Sequence, residues 1–323
     1  MRFSIYRHIL IGLVYFFLAF AAKAGYPEKS VRIIVPFPPG GPTDVQARII
    51  AQKLSERLGQ NFIVENRSGA GGNIGTRVAA SSPADGYTIL FMTPAQVINM
   101  TFYSNPGYDL NTQFVPIGLI STAPAMLLAN PKLEATTIAD VIRLAKASPG
   151  TIVYASSGAG LSTHLMMELI MKTAEIKLIH VPYRGSAPAL MGLIAGDTSL
   201  LMDSIVSGMP HVRSGALRAI AVTSAKRSPI APDVPTLNES GLPGFEALTW
   251  YGLMAPAKTP LEVVRVLANE INIIFKDPEI SKRFLEMGSE PAEVHPESFA
   301  KFLKTEATRW QEVVRQSGAK IDE

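Results

Sequence analysis

The chain has 323 residues, a formal net charge of +3 and no cysteine, which excludes a disulfide framework, a thiolate metal site and a thiol nucleophile. Three of its 30 basic residues, Arg2, Arg7 and Lys23, fall in the first 24 positions with no acid beside them, leaving 27 basic against 27 acidic residues beyond and no basic tract for nucleic acid. The five histidines, His8, His164, His180, His211 and His295, form no H-x-x-x-H or other close pair, so neither a metal site nor a metal cofactor is expected.

Residues 1–24 combine a basic start, an apolar run from Ile9 to Ala22 and the triplet Ala22-Lys23-Ala24. This is the order of a signal peptide cleaved near Ala24, with an apolar run too short to span a bilayer comfortably, and it predicts an exported protein. A mature chain of about 300 residues suggests two domains.

Val31 to Val35 is a short β-branched run stopped by Pro36-Phe37-Pro38-Pro39-Gly40-Gly41-Pro42. Apolar residues then recur at helical spacing from Val45, which predicts a helix with Thr43 as its cap and Asp44 as a first-turn acid. Strand, glycine loop and helix in that order present free N–H groups and the positive end of the helix dipole, so an anion can dock without a cationic side chain. A second strand at Phe62 to Glu65 leads through a glycine loop, residues 66–73, into a helix from Ile74, and a third, Tyr87 to Met92, meets a Thr93-Pro94 cap. Three such junctions predict βαβ units, a parallel sheet and loops gathered along one edge.

The apolar stretch Phe114 to Asn130 has no helical period and reads as strands entering a second domain. Thr137 and Asp140 form a capping-box pattern before a helix to Lys146. Strand Thr151 to Ala155 feeds Ser156-Ser157-Gly158-Ala159-Gly160-Leu161-Ser162-Thr163-His164 and a helix, repeating the opening architecture. Further strands are expected at Leu178 to Val181, at Ser199 to Met202 with Asp203 at its end, and at Leu217 to Thr223, which reads as the return to the first domain. A strand from Ala247 and helices from Leu261, Pro278 and Pro296 complete the chain, and the alternation as a whole predicts an α/β fold.

An enzyme is poorly supported. Gly158-Ala159-Gly160 lacks the third glycine of a dinucleotide fingerprint, where Thr163 stands, and Gly69-Ala70-Gly71 lacks it at Ile74. No Walker lysine is present, and no G-x-S-x-G elbow surrounds Ser162.

Five motifs in this order and spacing carry a resemblance over essentially the whole mature chain. They are Pro36-Phe37-Pro38-Pro39-Gly40-Gly41 with Thr43-Asp44; Glu65-Asn66-Arg67 with the 69–72 glycines; Asp85-Gly86-Tyr87; Tyr154-x-Ser156-x-Gly158-x-Gly160 with His164; and Val181-Pro182-Tyr183. With them the chain resembles the substrate-binding receptors of tripartite tricarboxylate transporters, the Bug family. The resemblance implies a two-lobed periplasmic binding protein of type II, a Venus flytrap with two crossover strands, without cofactor or catalysis. Residues 25–122 and 226–323 would form lobe 1 and 123–225 lobe 2. A monomer would capture a small di- or tricarboxylate and pass it to the membrane subunits of a transporter; an exported sensor for a two-component system, or an enzyme on small carboxylates needing no nucleotide, are the alternatives.

Carried onto this chain, the resemblance puts ligand contacts at Phe37, Gly40, Gly41, Thr43 and Asp44 from the first loop and at Ser156, Ser157, Gly158, Ser162, Thr163 and His164 from the opposing lobe, with Gly71, Gly72 and Asn73 below. Tyr183 and Asp203 complete the candidate set. The residues themselves also admit structural roles: Asp44 complements the helix dipole, His164 braces its loop, Asp203 either meets a ligand amino group or caps a turn, and Phe37, Tyr183 and Trp250 either line the cleft or pack in the core. Leu161 replaces a small hydroxyl residue common in the family, and Arg184 replaces lysine, which favours a second acidic group on the ligand.

Overall fold

The structure, a computed structural model, describes residues 25–318. The expected signal peptide lies outside the described residues. Ten strands form a continuous sheet with the order β2-β1-β3-β9-β4-β7-β5-β6, and β8 and β10 both add to β4. The first half holds β1 (Val31–Val35), β2 (Phe62–Asn66) and β3 (Thr88–Met92), all parallel, with β9 (Leu248–Pro256) antiparallel to β3. The second half holds β5 (Val153–Ser156), β6 (Ile179–Pro182) and β7 (Leu200–Ser204) in parallel, with β8 (Arg218–Val222) antiparallel to β4.

One element joins the halves. The long apolar stretch is a single 16-residue strand, β4 (Phe114–Ala129), rather than several. From Phe114 to Pro124 it pairs with β9, and from Ala125 to Ala129 it pairs with β7. The two-residue β10 (Glu290–Pro291) lies on its other side. β8 pairs with the far end of β4 and leads into Thr223, which hydrogen-bonds Ala125 where β4 changes partners. A rare β-branched density at Val31, Ile33, Ile34 and Val35 suits a strand covered on both faces, and all four are buried.

The helices follow their punctuation. Pro42 takes the first helical position of α1 (Pro42–Leu58), so the cap falls on Gly41 rather than Thr43, and Gly59 ends the helix in the left-handed conformation. Thr93 caps α3 (Pro94–Phe102) and forms a capping box with Gln96, after the shorter α2 (Asn73–Ala80). After α4 (Leu110–Gln113), the Thr137–Asp140 box opens α5 (Ile138–Ala147). In the second half α6 (Ser162–Ala174), α7 (Ser186–Ala195) and α8 (Ile205–Arg213) each follow a strand. Helices α9 (Leu261–Lys276) and α10 (Pro278–Glu286) start at the expected residues, as does α11 (Pro296–Ser317).

Helix α11 packs on β4, on α3 of the first half and on α6 of the second. It is pinned by a buried carboxylate, because the indole N–H groups of Trp250 and Trp310 donate to Glu306 Oε2 at 2.6 and 2.8 Å. Trp250 is therefore a core residue. Its neighbour Tyr251 points to the opposite face of β9, and that alternation brings Tyr251 instead to the cavity described next.

Candidate functional site

The strand-to-helix junctions of both halves converge on a partly open cavity that holds about 660 Å³ of empty space, solvent at its mouth included. Five helix N-termini line it: α1 through Gly41, Pro42 and Thr43; α3 through Thr93 and Ala95; α6 through Leu161, Ser162 and Thr163; α7 through Gly185, Ser186 and Ala187; and α8 through Ser204. Among the described residues no lysine, arginine or histidine lines this cavity. The groups there that attract an anion are backbone N–H groups and helix dipoles, reinforced by serine and threonine hydroxyls. A small anion fits that donor set.

The halves touch around the mouth. A Cβ on Gly185 would stand 3.0 Å from Pro38 Cδ, and Gly185 has φ of +116°, so neither the contact nor the backbone admits a side chain. Gly160, with φ of +74°, lies flat against the Phe102 ring, where a Cβ would come within 2.3 Å. A second, larger cavity of about 1090 Å³ adjoins the first and shares Phe37, Pro38, Ser157, Leu161 and Gly185 with it. The exposed Arg184 and the 69–72 glycine loop line this outer compartment.

The structure distributes the sequence candidates into three groups. Phe37, Gly41, Thr43, Ser157, Ser162, Thr163 and Asp203 line the inner cavity. Gly71, Gly72, Gly158 and Tyr183 line the outer one, with Phe37 and Ser157 on both. Five candidates stand back from both cavities: Gly40, Asp44, Asn73, Ser156 and His164. Each has at least one polar group engaged within the protein.

Asp44 is 3% exposed and ties the first loop together. It accepts from Gly40 N–H at 3.0 Å and Arg48 Nε at 2.9 Å on Oδ2, and from Asn66 Nδ2 at 2.9 Å on Oδ1. Burial works against its charge, but these donors outweigh burial and hold its pKa below the ordinary value. The same bond uses the Gly40 N–H. Asn73 Oδ1 accepts from Asn99 Nδ2 at 2.7 Å and Tyr108 OH at 3.1 Å, which makes it a brace for α2 and α3.

Under the second loop, the rings of Tyr154, His180 and His164 stack at 4.8 and 4.0 Å between centroids. His164 Nδ1 accepts from Gly160 N–H at 3.1 Å. Ser156 Oγ accepts from Gly158 N–H at 3.2 Å and lies 2.7 Å from His180 Nε2, a hydrogen bond whose direction is set by the imidazole tautomer. Burial, and then the neighbouring His164, push the His180 pKa down to about 4. Glu168 Oε1 accepts from Tyr154 OH at 2.6 Å and lies 3.4 Å from His164 Nε2. The stack holds the loop in shape while Ser157 and Thr163, 2.8 Å apart through their hydroxyls, face the cavity.

The sequence reading missed Met166, Ser186, Ser204, Thr249 and Tyr251 as cavity residues and took Thr93 only as a cap. Ser186 and Ser204 had a usable signal, because each follows a strand and opens a helix as Ser162 does. Thr249 and Tyr251 had none: they sit within a strand, and sequence does not say which face of β9 meets the cavity.

The model of the family described as "Tripartite tricarboxylate transporter family receptor" matches residues 46–319. The chain belongs to this family. It is 35% identical over 320 residues to Protein BugT of Bordetella pertussis, covering 97% of this chain and 98% of that protein. Among solved structures, Rpa4515 of R. palustris with adipate is 36% identical, with a TM-score of 0.89 over 92% of this chain and 99% of the other. MatC (Rpa3494) from Rhodopseudomonas palustris with bound malate is 29% identical, with a TM-score of 0.84 over 90% and 100%. The two-lobed periplasmic binding protein fold is thus the fold of this TctC-family receptor, and two of its solved relatives hold adipate and malate. No helix among the described residues is long and apolar enough to cross a membrane.

Proposed function

We propose that this receptor is exported through its N-terminal 24 residues and captures a small organic dicarboxylate between its lobes for delivery to the membrane subunits of a tripartite tricarboxylate-type transporter. The observation that carries this reading is the inner cavity itself, where five helix N-termini from both halves meet without one cationic side chain. The adipate and malate of the two related structures motivate the ligand class. We take residues 25–122 with 226–323 as one lobe and 123–225 as the other; the partner change of β4 between Pro124 and Ala125 supports that division. Contacts from both lobes coexist only when the lobes are together, so a ligand shifts the population toward closure and a transporter can read closure as occupancy. The protein acts as a monomer, and no covalent chemistry is required.

The test is a thermal-shift screen of protein unfolded and refolded to strip carried-over ligand. C4 to C6 dicarboxylates, citrate, acidic amino acids and nucleotides form the panel. At a hundredfold excess over its dissociation constant a true ligand adds about 2.7 kcal/mol. Shifts confined to carboxylates support the receptor; shifts only with nucleotides overturn it.

A further inference from the structure

Among the described residues, Asp203 is the one formally charged side chain lining the inner cavity, and it has the sign of the ligand class proposed above. It is 2% exposed at the end of β7. Ser186 Oγ and Ser207 Oγ both donate to its Oδ2, the second at 2.9 Å, and the Ser204 N–H also reaches the carboxyl. None of these groups carries a charge. The surrounding elements supply none either: β4 and α7 have no titratable side chain. β9 offers only the Tyr251 phenol, which is coupled to Asp203 and pushed up by burial. Helix α8 carries His211 and Arg213 in its last turn, two turns beyond Asp203. In α6 and β5, Glu168 lies against His164 and Tyr154, and Lys172, in the last turn of α6, donates to the Gln316 carbonyl.

An anion held by the helix N-termini in this cavity therefore shares a poorly solvated space with a carboxyl that no cation neutralises. Two carboxylates in one site do not both ionise freely, and the proton goes to the one that is buried and lacks a partner charge. Building on the carboxylate-receptor reading, we propose that Asp203 takes up a proton from solvent as the ligand binds, so that the protein captures its carboxylate together with one proton. Protonated Asp203 then faces the ligand as a hydrogen-bond donor instead of a repelling charge. No bond within the ligand forms or breaks. Burial outweighs the hydrogen bonds from Ser186, Ser207 and the Ser204 N–H and already raises the carboxyl to about 6 before any ligand is present. Proton uptake is thus largest above that pH, where the empty site is ionised.

Titration calorimetry of the refolded protein, with L-malate and adipate as probes, in buffers of different ionisation heat at pH 7.5, counts the protons. The wild type should take up close to one proton per bound probe, and Asp203→Asn close to none. From pH 6 to 8 the wild-type dissociation constant should weaken about fivefold over the first pH unit and about tenfold over the second, while that of Asp203→Asn stays flat. The proton count on the wild type needs no variant, and circular dichroism shows whether Asp203→Asn keeps its fold. Binding without proton uptake leaves the receptor reading standing and overturns this inference. So does wild-type affinity that strengthens as pH rises and is lost in Asp203→Asn, which would mean that ionised Asp203 accepts from a donor on the ligand. If neither probe nor any other dicarboxylate binds between pH 5 and 8, the receptor reading and this inference fall together.

Discussion

Thr223 is joined to Ala125 by two hydrogen bonds at the point where β4 changes partners: its N–H donates to the Ala125 carbonyl at 3.0 Å, and the Ala125 N–H donates to Thr223 Oγ1 at 2.9 Å. The same hydroxyl donates to the Ala247 carbonyl at 2.5 Å, and the Ala247 N–H donates back to the Thr223 carbonyl at 2.9 Å. One buried threonine thus stitches the outgoing and returning crossings together. Thr223→Val keeps the shape but leaves a buried N–H and a buried carbonyl short of a partner, at a cost of about 1–3 kcal/mol. Urea unfolding measures it; a loss below about 0.5 kcal/mol, the range of a neutral surface change, would show that the junction does not depend on the hydroxyl.

Gly41 caps α1 and faces the opposite lobe. A Cβ there would lie 3.8 Å from Pro38 O and 3.9 Å from Ser186 Cβ, at ordinary contact distance, and its φ of −80° suits any residue. Gly41→Ala should fold and bind with modest loss. The branched side chain of Gly41→Val enters the cavity between Gly41 and Ser186 and should cut dicarboxylate affinity by about 1.4 kcal/mol or more, a tenfold effect, while the weaker cap costs about 1 kcal/mol of stability. Unchanged affinity by calorimetry would remove this loop from the site.

His180 is neutral in the fold, with its pKa down at about 4 against 6.5 for the free side chain. Across that window the unfolded chain binds the extra proton, so the contribution to stability is complete above pH 6.5 and is lost as pH falls toward 4. Allowing for the partly exposed ring, the loss is on the order of 2 kcal/mol. His180→Phe preserves the stack but not the hydrogen bond with Ser156, so it should be less stable at pH 7 and show a flatter acid limb in urea midpoints between pH 6.5 and 4. An acid limb identical to wild type would place the titration elsewhere.

Asp203 has the opposite sign. Burial raises its pKa from 3.8 to about 6, so the folded protein binds the extra proton between those values and loses stability as pH rises through them. The free protein pays this above pH 6. Asp203→Asn, which keeps an acceptor for Ser186 and Ser207, should stabilise the ligand-free protein at pH 8 by on the order of 2–3 kcal/mol and do nothing at pH 4. Equal stability at both pH values would show that the carboxyl is better solvated than its burial indicates. Because the His180 and Asp203 effects oppose one another between pH 4 and 6, differences between variants are more telling than the wild-type profile.

Local chemistry made much of this protein legible from its sequence. Prolines at 42, 94, 278 and 296 and the Thr137–Asp140 pair mark helix starts because a ring without an N–H, or a side chain that caps one, suits a single place in a helix. The order of strand, glycine loop and helix likewise predicts loops that present helix N-termini, and Gly41, Thr43, Ser162 and Thr163 line one cavity. What tertiary structure decided was which side of each loop faces inward. Asp44 and His164 sit in the same motifs as Thr43 and Thr163, one residue away, yet a helix turns each successive side chain by about a quarter-turn or more, so they brace the loops from behind. The partner change within β4, the face of β9 that carries Tyr251, and the meeting of Asp203 with helix N-termini from distant parts of the chain all depend on contacts between remote segments, which no local pattern encodes.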